Sequence, residues 1–139
     1  MKISEDVLKQ INEFAPDTPP EFGGILGSRR NGVITEVIFD NNQTNHNKIC
    51  YYAPNVDYLN QCIKEWNMSG ISFKGLFHFH FGGAKTLSEA DKKYILKIMQ
   101  CMPQEVEQLY FPIFVMPNRE LICYKARKNR IYSDTIYII

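Results

Sequence analysis

No apolar run in the 139 residues approaches the roughly 18 needed to span a bilayer, which excludes a membrane-spanning helix. The four cysteines, Cys50, Cys62, Cys101 and Cys123, are widely separated and form no Cys-x-x-Cys pair, so nothing in them suggests zinc or redox chemistry. Charge of one sign is also missing: 16 Lys and Arg against 15 Asp and Glu leave a formal +1. That balance gives no electrostatic case for nucleic acid or an anionic membrane as the main partner. The densest basic stretch, Lys125, Arg127, Lys128 and Arg130, has few aromatics and no glycine-rich phosphate loop beside it, and reads as a solvated turn. Residues 1–14 are charged and amphipathic rather than a basic segment followed by an apolar run, so no signal peptide is expected. Four thiols without an export signal point to a reducing cytoplasm. Repeats, low-complexity tracts and long linkers are absent, which predicts one continuous domain over residues 1–139.

What remains is an ordinary globular composition, 45% hydrophobic and 13% aromatic, sufficient for one core. Ser4 is placed to cap a first helix in which Val7, Leu8, Ile11 and Phe14 recur at helical spacing, ended by Pro16, Pro19 and Pro20. Residues 21–27, Glu-Phe-Gly-Gly-Ile-Leu-Gly, read as an apolar strand with unusually bare backbone. Asn31-Gly32 signals a tight turn, and residues 33–39 its return strand. A polar loop is expected over 40–48 and a short strand over 49–52. Val56, Leu59, Ile63 and Trp66 mark a second helix closed by Ser69-Gly70. A strand over 73–81, a third helix over 88–102 and strands near 109–116, 120–127 and 131–138 complete the chain. Pro112 lacks an amide donor, which places its strand at an edge or a bulge. The outline is α/β, with strands outnumbering helices.

The chemistry concentrates in Phe77-His78-Phe79-His80-Phe81. On a strand, residues two apart share a face about 6.6 Å from each other, so His78 and His80 can aim at one point while the phenylalanines fill the core side. Two of the chain's three histidines are used here. His-x-His alone is more often two half-buried histidines satisfied by backbone carbonyls. The continuation alters that weighing. After seven residues, 81–87, that include Gly82-Gly83, the chain reaches Ser88-Glu-Ala-Asp91 at the start of a helical pattern. Ser-x-x-Asp is a variant capping box, and a carboxylate in a first helical turn is favoured in its ionised form by the helix dipole. The capping role and a ligand role are compatible. A His-His-Asp set leaves a fourth position open, the arrangement of catalytic rather than structural zinc. Hydrolysis of an amide also needs a proton carrier, and a carboxylate suits it. Glu21, opening the glycine-rich strand, is a candidate, although the residues alone do not single it out among the glutamates.

An upstream glutamate before Gly-Gly-Ile-Leu-Gly, then His78-x-His80, seven residues, Ser88, two residues and Asp91, resembles the JAMM motif of the JAB/MPN metalloproteases, most closely the prokaryotic JAB group. The resemblance covers nearly the whole chain. It implies a cytidine-deaminase-like α/β fold, with a mixed central sheet flanked by about three helices. It further implies that His78, His80 and Asp91 bind Zn2+, that Glu21 is the acid–base residue, and that Ser88 hydrogen-bonds the water or the developing oxyanion. Family members cleave peptide or isopeptide bonds after the C-terminal glycines of ubiquitin-like or sulfur-carrier proteins, so such a protein is the expected partner. Two positions depart from the motif. Phe79 replaces the usual small hydroxylic residue, and Phe81 replaces a frequent proline; both are expected to reshape the substrate cleft. The rival expectations are a non-catalytic MPN module that binds partners, and a metal-dependent hydrolase of a non-protein amide.

Overall fold

A computed structural model describes residues 1–41 and 52–139. From the N-terminus come β1 (Lys2–Ile3), α1 (Glu5–Phe14), β2 (Gly23–Ser28), β3 (Val33–Ile34) and β4 (Glu36–Phe39). Then follow α2 (Val56–Met68), β5 (Ser72–His80) and α3 (Glu89–Cys101). The chain closes with β6 (Leu109–Tyr110), β7 (Ile113–Val115), β8 (Glu120–Arg127), β9 (Arg130–Asp134) and β10 (Tyr137–Ile138). This is the α/β class expected, a central mixed sheet with three helices. The loop and short strand expected over 40–52 fall largely outside the described residues. No helix among the described residues is long and apolar enough to cross a membrane.

The central sheet runs β4-β2-β5-β6-β8-β7, with β9 paired to β8 and β7 also paired to β5. Its middle strand, β5, lies antiparallel to β2 and parallel to β6 and β7. One side carries a core of Phe77, Phe79, Phe114, Leu26 and Ile34 against Val7 and Ile11 of α1. On the other side α2 covers Ile25 through Leu59 and Trp66, and α3 packs Ile95 and Met99 against Leu109, Ile113 and Ala126.

Three expected strands are each split. The return strand over 33–39 divides at Thr35: β3 pairs in parallel with β1, while β4 stays on β2. Pairing with the N-terminal segment competes with the hairpin, a tertiary choice that local pattern does not reveal. Likewise β10 leaves β9 to pair with β1 in a small three-stranded sheet. Pro112 separates β6 from β7 inside the sheet, and the register on β5 and β8 is the same on either side of it, so it lies at neither an edge nor a bulge; its carbonyl still accepts from His78 N–H at 3.3 Å. Of the residues that mark α2, Leu59 and Trp66 are buried as expected, Val56 is 51% exposed, and Cys62 joins the buried stripe. The basic turn is also more than solvated, because Lys128 Nζ donates to the Met99 and Met102 carbonyls at 3.0 and 2.7 Å and so caps the C-terminal end of α3.

Candidate metal centre

β5 positions the two histidines because both its neighbours hold its backbone. Gly23 pairs with His78 across β2, and Phe79 N–H donates to Phe22 O at 2.8 Å, which continues the ladder past the end of β2. Carried one residue further, that register sets Glu21 opposite His80, on the same face as both imidazoles. On the far flank, Met116 N–H donates to His80 O at 2.8 Å. Gly23 must be bare here. A Cβ would run into the Phe77 carbonyl and come within 2.9 Å of Tyr52 Cε2 and 3.0 Å of His78 Cβ.

After His80 the chain turns through Gly82 and Gly83, both at positive φ (70° and 75°), a conformation that glycine adopts without penalty. The turn brings Ser88 to the N-cap of α3. Its Oγ accepts from Asp91 N–H at 3.0 Å, and its own N–H donates to Asp91 Oδ2 at 2.9 Å, a reciprocal capping box. The same Oδ2 lies 3.2 Å from His80 Nε2 and 3.5 Å from His78 Nε2, and the two Nε2 atoms are 2.8 Å apart. Capping thus aims Asp91 into the site; the two roles share one oxygen.

Glu21 completes the group. Its Oε1 is 3.7 Å from His80 Nε2, and ligand atoms of Glu21, His78 and His80 all lie within 4.8 Å of one another. Two carboxylates therefore flank one pair of imidazoles. Their environments separate them. Asp91 Oδ2 touches both Nε2 atoms and a backbone amide. Glu21 Oε2 is, among the described residues, the buried side-chain oxygen with no hydrogen-bond partner. Burial raises Asp91, but hydrogen bonds from His78 and His80, the electrostatic pull of His78 and the Ser88 amide outweigh it and hold the carboxyl far below the usual range. Burial raises Glu21 to about 7, with His80 opposing and Asp91 reinforcing. Burial lowers His78; His80 is also penalised by burial, yet Asp91, the Ala84 carbonyl and Glu21 raise it. His80 Nδ1 faces Ala84 O at 3.0 Å, which leaves Nε2 as the nitrogen turned to the centre.

Glu21, His78, His80, Ser88 and Asp91 are thus brought together. Phe79 is not part of the cleft. It is fully buried on the opposite face, ringed by Phe22, Phe77 and Phe114, because residues adjacent along a strand point to opposite sides. Phe81 is half-buried and packs against that same core, so it does not wall the site either. The walls come from residues the sequence reading missed: a small cavity of about 30 Å³ is lined by Tyr52, Leu76, Tyr94 and Phe111 together with His78 and Asp91. Tyr94 alone carried a signal, standing one helical turn after Asp91. The isolated aromatics Tyr52 and Phe111 carried none.

No family model and no curated protein matches the sequence. Solved structures do match the fold. A JAB1/MPN domain protein from Archaeoglobus fulgidus aligns over 100% of this chain and 97% of its own, with a TM-score of 0.59 at 22% identity. A structure described as a JAMM metalloprotease-like zinc site in the proteasome and signalosome covers the same shares, with a TM-score of 0.57 at 21% identity. A protein from Desulfitobacterium hafniense aligns over 100% of this chain and 93% of its own, with a TM-score of 0.65 at 18% identity. The chain has the JAB1/MPN fold, and its buried His-His-carboxylate cluster could hold a metal ion.

Proposed function

We propose that this protein is a JAMM-type zinc hydrolase of peptide or isopeptide bonds, with His78, His80 and Asp91 as metal ligands, Glu21 as general acid–base and Ser88 as a hydrogen-bond donor. One observation carries the reading: two Nε2 atoms and Asp91 Oδ2 converge within 3.5 Å, beside a second carboxylate that keeps a buried, unpaired oxygen. A buried carboxylate oxygen without a donor is costly unless something arrives to bind it. Two imidazoles and one ionised carboxylate, with no cysteine among them, suit a zinc site with an open position.

Zinc held there supplies a Lewis acid that acidifies water toward neutral pH and polarises a carbonyl. Glu21, buried beside the cluster with one oxygen unpaired, is placed to take a proton from the attacking water and return it to the leaving amine. Asp91 stays ionised and is fixed by the cap. Ser88 uses Oγ to accept from Asp91 N–H and keeps a proton to offer the developing oxyanion, a contribution of about 3 kcal/mol at comparable donors.

For the substrate we infer a ubiquitin-like or sulfur-carrier protein with a flexible Gly-Gly tail. The cavity beside His78 and Asp91 is small, about 30 Å³, which favours residues without side chains at the scissile bond. Between α2 and α3, an apolar groove of about 360 Å³ floored by Ile25, Phe73 and Leu76 could take an apolar surface of the same substrate. The test incubates wild type and Glu21→Gln with Gly-Gly fusions joined to lysine or a short peptide, read by mass spectrometry. Wild type should cleave, lose activity to a chelator and regain it with zinc. Glu21→Gln should bind zinc yet cleave roughly 10²-fold more slowly. Equal cleavage by both forms removes Glu21 from the mechanism; full zinc occupancy without cleavage of any fusion favours a binding module.

A further inference from the structure

Beside the cluster lies a buried pair for which the chemistry above has no use. Asp40, directly after β4, is 4% exposed; it accepts from the Tyr52 hydroxyl at 2.6 Å and from Asn55 N–H, at the cap of α2, at 3.0 Å. Burial first, and Asp40 second, hold the Tyr52 phenol far above its ordinary range, so the hydroxyl remains a donor. Committed to Asp40, it does not face substrate. What Tyr52 presents to the site is its ring, which lies along the His78 imidazole with centroids 5.9 Å apart and planes 20° from parallel. The bare backbone of Gly23 makes the room for it.

The two histidines are held differently. His80 is oriented through Nδ1 and the Ala84 carbonyl. His78 meets His80 and Asp91 through Nε2, and an aromatic wall lies along its plane. The terminal torsion of histidine is broad, so an imidazole without such a neighbour samples orientations that turn Nε2 away from its partners.

Resting on the metal reading above, we propose that Tyr52, anchored by Asp40, is a positioning residue that fixes the plane of His78 and thereby pre-organises the metal site. Hydrogen-bonded partners one step out from the ligands typically contribute 10–100-fold to metal affinity, and a wall that fixes the same ring orientation is expected to act in that range.

The test compares the full chain with Tyr52→Leu, which removes the ring, and Tyr52→Phe, which keeps the ring and releases Asp40. Three quantities are measured: zinc affinity by chelator competition, thermal unfolding of the metal-free protein, and 13C relaxation of the His78 and His80 rings without metal. Tyr52→Leu should lose roughly 10–100-fold in zinc affinity, with the His78 ring loosened and the His80 ring unchanged. Tyr52→Phe should fall between it and wild type. Unchanged zinc affinity and His78 order in Tyr52→Leu overturns the proposal, and so does equal loosening of both rings, which marks a general structural effect. If Tyr52→Leu does not fold, Tyr52→Phe decides by the same two readouts. Should wild type bind no zinc, the metal reading fails, while the relaxation of the two rings still decides whether Tyr52 orients His78.

Discussion

Over residues 77–80 the two faces of β5 are both buried and chemically opposite. Phe77 and Phe79, both 0% exposed, meet edge to face with centroids 5.9 Å apart and pack on Phe114. His78 and His80, 7% and 4% exposed, face two carboxylates, one of which keeps an unpaired oxygen. The phenylalanine face gains from burial. The histidine face loses by it, since desolvated imidazoles and carboxylates cost free energy unless every lone pair finds a partner. A strand that buries both faces so differently uses one to hold the other in place.

The largest expected effect lies on the histidine face. His80→Ala removes one of three proposed ligands and should cost more zinc affinity than the roughly 10–100-fold typical of losing an outer partner. The metal-free variant should also lose some stability, because Asp91 and Glu21 stay buried with one partner fewer. Elemental analysis with equal zinc in both forms would break the division between the faces, as would zinc binding that depends on the cysteines.

Phe79→Ala is the counterpart. Emptying a fully buried aromatic site should cost about 3–5 kcal/mol in denaturant unfolding, while zinc affinity per folded molecule changes little. Collapse of zinc binding with preserved stability would show that the faces are not separable.

The contrast between the faces was legible in the sequence because period two is a local property of a strand. So was Asp91, since a capping box is read from four consecutive residues. Glu21 was legible only through resemblance to a family: its place opposite His80 depends on the register between β2 and β5, which no local pattern encodes. Tyr52 reaches His78 through the geometry before α2, and Phe111 through the break at Pro112, so neither could be found from spacing. The splits at Thr35 and before β10 have the same origin, a choice of strand partner made by β1.

Glu21 sharpens the comparison through pH. Burial lifts its carboxyl from an ordinary 4.5 to about 7 in the folded, metal-free protein. Below the lower value both states hold the proton and Glu21 contributes nothing to the pH dependence. Between the two values the unfolded chain ionises first, so its contribution to stability falls as pH rises, and above about 7 the penalty is complete. The full penalty is on the order of 3 kcal/mol. Glu21→Gln has no such proton to lose. Its stability relative to wild type should therefore grow across that window and level off above it, as measured by denaturant midpoints at several pH values without metal. A gap independent of pH would mean that Glu21 is solvated rather than held dry.

Ser88 belongs to both kinds of work, and on stability and zinc affinity it should give the smallest effect. As the N-cap of α3 its Oγ accepts from Asp91 N–H at 3.0 Å, and losing that acceptor costs ~1 kcal/mol of stability. It holds the Asp91 carboxylate differently, through its own backbone N–H at 2.9 Å, which alanine retains. Ser88→Ala should therefore lower metal-free stability by about 1 kcal/mol and leave zinc affinity nearly unchanged. Asp91→Asn should show the reverse weighting, because asparagine keeps a capping oxygen and loses the anion facing both imidazoles. Chelator competition and thermal unfolding on both variants read the two quantities separately. If Ser88→Ala loses zinc affinity as severely as Asp91→Asn, the hydroxyl rather than the backbone amide is what aims Asp91, and the capping box is part of the metal site itself.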